Sequence, residues 1–176
     1  MSFGNLGKVA FVLLAFMLEA SGSQCCGPGC RAPAAEGSAA HYDAKYFNWQ
    51  RGIGEEKARR ENWEKTYGVL PGETVLDFGA GTAAILATLN SAGRRIAVEY
   101  SSVAREYIAQ HSKGIEVHQY PESVPDGSVD LVVSTSVVEH VECPIQELRE
   151  LMRKLRHGGR VVIGIKNEGV ELWRNW

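Results

Sequence analysis

Several features are scarce in this chain, and each scarcity removes a class of protein. The formal net charge is only -2 over 176 residues, with no long run of either sign. The basic footprint that usually accompanies general nucleic-acid binding is therefore missing, and no nucleic-acid partner is expected. No segment repeats, which excludes a solenoid. Cysteine is sparse: Cys25, Cys26 and Cys30 cluster near the N-terminus and Cys143 stands far away. No histidine lies among the three and no C-x-x-C pair occurs, so neither a zinc site nor a disulfide-built fold is expected, and no metal is assigned. Long apolar runs are also lacking. The longest, Val9 to Leu18, is half of the roughly 20 residues that a bilayer span requires.

What is there begins with that apolar run. It follows Lys8 and leads into the small residues Ala20, Ser21, Gly22 and Ser23. Residues 1–23 read as a secretory-type signal with cleavage near Gly22 or Ser23, against the alternatives of a buried or interfacial helix or an organelle-targeting leader. A retained leader would direct the chain to the secretory pathway, an organelle or a membrane; without it the chain would be cytoplasmic. Residues 24–40 form a Gly/Ala/Pro/Ser linker whose thiols could form a disulfide, take a lipid or be incidental. The folded part spans 41–176, one domain with length for a sizeable core.

The folded part opens on Tyr42, Tyr46, Phe47 and Trp49, aromatics on a candidate helix that would either dock on the core or close over a ligand mouth. Arg51 to Tyr67 is charged and helical in character, with Trp63 and Tyr67 on one apolar side, and Pro71-Gly72 breaks it. Strands are predicted at Val75 to Phe78, Arg95 to Glu99, Ile115 to His118, Val129 to Ser134 and Val161 to Ile165. Between them come helices from the glycine turn to about Leu89, over Val103 to Gln110 and over Pro144 to Leu155, the last closed by Gly158-Gly159. Strands alternating with helices predict a parallel α/β sheet with helices on both faces.

The chemistry concentrates in Val75-Leu76-Asp77-Phe78-Gly79-Ala80-Gly81-Thr82-Ala83-Ala84, a strand, a Gly-rich turn and a helix start. Such a turn can hold a nucleotide-like ligand against backbone N–H groups. The spacing Gly79-x-Gly81-x-x-Ala84, with Glu99 some twenty residues further on, satisfies the dinucleotide pattern and suits NAD and S-adenosyl-L-methionine equally. Asp77 separates the two. A pyrophosphate would meet a like charge in a partly desolvated crevice, whereas the ammonium and sulfonium of S-adenosyl-L-methionine would be attracted.

With these residues in view, the region from about His41 to Ile165 resembles a class I S-adenosylmethionine-dependent methyltransferase. The matching pieces are Val75 to Gly81, Ile96 to Glu99, the block Val129 to Val141 that ends in Glu139-His140-Val141, and Leu148 to Gly159 followed by Val161 to Ile163. The resemblance implies a Rossmann-like doubly wound α/β/α sandwich of strand order 3-2-1-4-5. It implies that Asp77, Phe78, Gly79, Ala80 and Gly81 pack on the methionine portion of the cofactor. Glu99 would bind the ribose beside Tyr100, Tyr120, Pro121 and Glu122 would flank the adenine, and Ser134, Thr135 and Ser136 would line the methionine and acceptor side.

The chain departs from the family pattern in three places. Ala83 stands at the turn's third glycine, and Tyr120 stands where many relatives carry an acid for the adenine amino group. The chain also reaches Trp176 soon after the fifth strand, where a complete fold of this class adds a helix and two strands. A shortened sheet would leave the fifth strand to be covered by Glu168 to Trp176 or by a partner chain, and cofactor binding would then depend on that cover.

Methyl transfer is an in-line displacement that needs a base only if the acceptor must lose a proton. His140 and Glu139 are nearest by motif position, although His140 could equally fix its loop and Glu139 could brace the next helix. The expected activity is methyl transfer to a small-molecule acceptor. An NAD(P)-dependent oxidoreductase and a non-catalytic Rossmann-like interaction module are the rival readings.

Overall fold

The computed structural model describes residues 44–141 and 143–165, apart from the side chains of Tyr46, Trp49, Gln50 and Glu139. The leader and linker assigned above, Tyr42 and the segment Glu168 to Trp176 lie outside the described residues.

Five strands form one parallel sheet: β1 (Thr74–Phe78), β2 (Arg94–Val98), β3 (Ile115–His118), β4 (Val129–Thr135) and β5 (Leu155–Gly164). Their spatial order is β3-β2-β1-β4-β5, the doubly wound order expected. All strand pairs are parallel. The chain lays down β1, β2 and β3 in one direction, then returns to the other side of β1 for β4 and β5. That reversal opens a crevice at the carboxyl ends of β1 and β4, where ligands bind in open α/β sheets.

Strand alternation divides the core into two layers. Val75 on β1, Ala97 on β2 and Leu131 and Val133 on β4 pack with Trp63, Tyr67, Leu86, Leu89 and Ile108. These partners come from helices α2 (Trp63–Tyr67), α3 (Ala84–Thr88) and α4 (Ser102–His111) and from the residue after α3. Leu76, Phe78, Ile96, Val98 and Val132 face the other way, toward Val124 and toward Leu151 of α5 (Pro144–Lys154). Because β1 is central and covered on both faces, its Val75, Leu76 and Phe78 are fully buried, which is why it reads as a nearly continuous apolar run.

Several boundaries differ from those expected. The charged stretch before β1 is two helices rather than one. Helix α1 (Ala44–Arg60) stops before Asn62, whose side chain accepts from the Lys65 amide at 3.0 Å and caps α2. Gly68, left-handed at φ 64°, ends α2. The helix α5 stops at Lys154, and β5 starts at once with Leu155. Gly158 and Gly159 therefore do not close the helix. They lie in an irregularity of β5, which runs from Leu155 to Arg160 while its partner β4 advances only from Val129 to Leu131.

Helix α5 has Pro144 in its first turn with Glu147, and Arg153 and Lys154 in its last, an ordering that complements the helix dipole. The Lys154 ammonium is buried but paired, at 2.7 Å from both Asp126 and Glu150. Cys143, at the N-cap of α5, is disulfide-bonded. Of the aromatics expected at the start of the domain, Phe47 is buried and packs edge-on against Tyr107 of α4, with ring centroids 5.3 Å apart. Among the described residues, no helix is long and apolar enough to cross a membrane, and no cluster of His, Cys, Asp and Glu could hold a metal ion.

Candidate functional site

The glycine turn leaves β1 directly after Asp77 and Phe78. Gly79 and Gly81 both adopt left-handed backbone, at φ 76° and 57°, and so does Ala83 at φ 55°. A side chain at Gly79 is excluded twice over, because a Cβ there would lie 2.3 Å from Cγ2 of Val137. At Ala83 the backbone conformation that glycine adopts freely is imposed on a fully buried alanine.

Four amides of this turn are bonded within the protein. Gly79 N donates to the Val98 carbonyl at 2.8 Å, Ala80 N to the same oxygen at 3.3 Å, and Ala83 N to Ala80 O at 2.8 Å. The Gly81 amide donates to Oε2 of Glu99 at 2.8 Å. Four N–H groups of the turn are thus engaged within the protein. This differs from the simple cradle that the spacing suggested, and the cause is the closeness of β2, whose last carbonyl and following carboxylate accept from the turn.

Two carboxylates face this region from adjacent strand ends, and their surroundings are unequal. Glu99 accepts from the Gly81 amide and, through Oε1, from the Ser101 amide at 2.8 Å. The Arg105 guanidinium lies nearby, donating to the main-chain oxygens of Glu99 at 2.9 Å and of Tyr100 at 2.6 Å. Burial pushes the Glu99 carboxyl above its ordinary range, with these hydrogen bonds and Arg105 opposing the shift. Asp77 is 7% exposed, and among the described residues nothing donates to it or pairs with it. Burial first, and the Glu99 charge second, push its carboxyl up to about 8.

Aromatic and hydroxyl groups complete the crevice. Tyr100 packs edge-on against Phe78 and Tyr120, with centroids 5.9 and 5.4 Å apart. The Tyr100 hydroxyl is bonded to Glu147 of α5, and burial with that contact raises its pKa. Tyr120 accepts from Gln119 at 2.9 Å, Pro121 is buried in a short 3₁₀ turn (Pro121–Ser123), and Glu122 is exposed beside it. The Thr135 hydroxyl lies 2.9 Å from that of Tyr67. Burial and the Asp77 charge push the Tyr67 phenol up. Ser134 points to the other sheet face by alternation, and its hydroxyl is fully buried with no partner. Ser136 is exposed and left-handed at φ 56°, its amide donating to Gly164 O at 2.7 Å.

The structure therefore brings Asp77, Gly79, Ala80, Gly81 and Glu99 together in one crevice, with Tyr100, Tyr120 and Thr135 along its walls. His140 is exposed in a 3₁₀ turn (Val138–His140), and only the backbone of Glu139 is described there. Tyr67, Arg105 and Val137 were not singled out from the sequence. Tyr67 read simply as an apolar helix residue, and no local pattern marks its hydroxyl for Thr135, 68 positions away.

The unpartnered Asp77 beside Glu99 fits a ligand that brings its own cations. Known proteins agree. The family described as methyltransferase domain matches residues 76–163, half of the chain. A 37.1 kDa protein of a Streptomyces fradiae transposon is 35% identical over 106 residues, covering 53% of this chain and 30% of that protein. The demethylmenaquinone methyltransferase of Clavibacter sepedonicus is 30% identical over 118 residues, covering 63% and 48%. The chain thus spans between 30% and 48% of the length of these relatives. Among solved structures, one assigned as an S-adenosyl-L-methionine-dependent methyltransferase of Methanococcus maripaludis superposes with a TM-score of 0.58 at 25% identity, over 69% of this chain and 63% of that one. The chain belongs to the methyltransferase domain family, the S-adenosylmethionine-dependent class that its turn and strand-end carboxylates resemble.

Proposed function

We propose that the crevice binds S-adenosyl-L-methionine and that the chain serves methyl transfer to a small-molecule acceptor. The observation that carries this reading is the unpartnered, buried carboxyl of Asp77 at the mouth of the glycine turn, beside Glu99. A dinucleotide would bring two phosphates to that point and no cation there to pair with the Asp77 carboxylate. S-adenosyl-L-methionine brings an ammonium and a sulfonium instead, and when bound it supplies a methyl group on a good leaving sulfur.

The chain's own residues hold and orient. Asp77 takes the ammonium, Glu99 takes ribose hydroxyls by exchanging the Gly81 amide for them, and Tyr100 with Tyr120 walls off the adenine. Tyr67 fixes Thr135 at the end of β4, so that the methionine side is rigid. Alignment and exclusion of water account for most of the catalysis such a site provides. Exposed His140 is free to serve an acceptor that must lose a proton, and an acceptor that is already nucleophilic needs no such service. A small-molecule acceptor accords with the name of the Clavibacter relative.

Isothermal titration of the full chain with S-adenosylhomocysteine and with NADH tests the reading. Binding of S-adenosylhomocysteine that is lost in Asp77→Ala and Glu99→Ala supports it. Binding of NADH in preference sinks it in favour of an oxidoreductase. If neither substitution changes any ligand affinity, the fold serves as an interaction module instead.

A further inference from the structure

The two crevice carboxylates differ in what surrounds them, and the difference has a thermodynamic consequence. Glu99 gathers the available donors, the amides of Gly81 and Ser101, with Arg105 close by. Asp77 has none, although it is the more deeply buried of the two. The groups facing Asp77 are Glu99 from the end of β2 and the Tyr67 phenol from α2, both acids, while β4 presents only the uncharged Val133 and Thr135. Nothing in this set can compensate an ionised carboxylate out of water.

We propose that Asp77 holds a proton while the crevice is empty and releases it when the ammonium of the bound cofactor arrives, so that cofactor binding is a proton exchange. This rests on the reading of the site given above. The exchange balances simply. The neutral Asp77 acid loses its O–H proton to solvent, the resulting carboxylate pairs with the ligand ammonium, and no covalent bond of the ligand changes. Net charge in the pocket is the same before and after: one proton leaves as one ammonium enters. The upward shift of Asp77 to about 8 agrees with this order of events.

Two consequences separate this from ordinary carboxylate recognition, in which a pre-ionised acid attracts the cation. Ligands carrying the amino-acid portion will bind more tightly as pH rises toward 8, the affinity gaining close to tenfold per unit while Asp77 is protonated. Adenosine derivatives without that portion will bind with no such dependence.

The test uses the full chain and two probes. S-adenosylhomocysteine carries the ammonium, and 5′-methylthioadenosine carries the nucleoside without it. Titration calorimetry near neutral pH, in phosphate and in Tris, reads the protons released from the difference in apparent heat. About one proton is expected for S-adenosylhomocysteine and none for 5′-methylthioadenosine. Asp77→Asn should remove the release. A separate readout needs no ligand: the ¹³C resonance of the Asp77 carboxyl, assigned by its loss in Asp77→Asn, should titrate well above the ordinary aspartate range in the free protein. Buffer-independent heats with S-adenosylhomocysteine bound, or a free-protein midpoint near 4, would overturn the exchange while leaving cofactor binding intact. Failure of S-adenosylhomocysteine to bind at any pH would instead overturn the functional reading, and the exchange with it.

Discussion

Replacing Gly79 with alanine separates two costs that the turn combines. The first is backbone: φ at Gly79 is 76°, a left-handed conformation that costs an L-residue about 1–2 kcal/mol. The second is steric. The new Cβ would sit 2.3 Å from Cγ2, 2.7 Å from Cγ1 and 3.0 Å from Cβ of Val137, and displacing a packed side chain costs about 1–3 kcal/mol. Together the substitution should destabilise the fold by roughly 2–5 kcal/mol, less a few tenths for the stiffer unfolded chain. Val137→Ala removes both γ-carbons, so the double variant should recover the steric part and leave the backbone part. Gly81→Ala is the control. Its φ is 57°, but a Cβ there meets nothing within 4 Å, so about 1 kcal/mol should be lost with no coupling to position 137. Urea unfolding of the single and double variants gives the coupling energy directly. A coupling between 79 and 137 below about 0.5 kcal/mol, or one as large at 81, would refute this assignment of costs.

Three further outcomes follow from the same structure. Asp77 has a folded-state pKa raised from 3.8 to about 8, so the folded chain holds more protons than the unfolded one between those values and loses stability as pH rises through them, at about 1.4 kcal/mol per unit. Asp77→Asn cannot ionise, so its advantage over the parent in urea midpoint should grow from near pH 5 to near pH 8; a constant difference would contradict the burial argument. Tyr67→Phe deletes a single neutral hydrogen bond to Thr135 and should cost about 1 kcal/mol in unfolding, with a larger effect on affinity for S-adenosylhomocysteine than a mere packing role allows. Arg160 binds the buried Glu73 with two hydrogen bonds of 2.9 Å; Arg160→Ala should cost roughly 2–3 kcal/mol in urea unfolding, discounted for the partial exposure of the guanidinium, and Arg160→Lys should recover only part of it.

How much of this was readable beforehand depended on whether the determining interaction is local. The strands were legible because burial on both faces of a parallel sheet leaves apolar runs such as Val75 to Phe78 and Val129 to Ser134. The order 3-2-1-4-5 came with the family resemblance, since periodicity fixes which segments are strands without fixing their neighbours. Glu99 was placed by its distance from the turn and Asp77 by its position at the end of β1. The end of α5 was misread because Gly158-Gly159 is a helix-stop signal in isolation. In the fold those glycines serve the irregularity that lets β5 rejoin β4, and Leu155 leaves the helix because Val129 is there to pair with it. The capture of the turn amides by Val98 and Glu99 was equally hidden, for it depends on β1–β2 register rather than on any residue type. Tyr67, Val137 and Arg105 acquire meaning only from partners distant in sequence or on another element.

The distribution of satisfied and unsatisfied groups over the sheet bears on where function lies, independently of family. At the amino ends of the strands the charges are paired. Glu73 is clasped by Arg160, Asp130 accepts from the Thr74 amide and from Arg156, and Arg94 holds Glu116 at 2.7 Å. At the carboxyl ends of β1 and β4 the reverse holds. Asp77 is buried without a partner, the Ser134 hydroxyl is orphaned, and Ala83 and Ser136 are the two non-glycine residues with left-handed backbone among those described. Each of these departures costs on the order of 1–3 kcal/mol, and scattered departures would suggest a poorly optimised fold. Trp63 Nε1 and the Ser91 hydroxyl are orphaned elsewhere, but four departures meet at the carboxyl ends of β1 and β4, and together they mark a surface that stability alone does not explain. Three of them would not be improved by any single ligand contact, since Ser134 faces the opposite layer and the two left-handed residues are backbone features. Asp77 is different. It is the one departure that a cation from outside can reverse, and that makes it the residue on which occupancy of the crevice and stability of the fold are coupled.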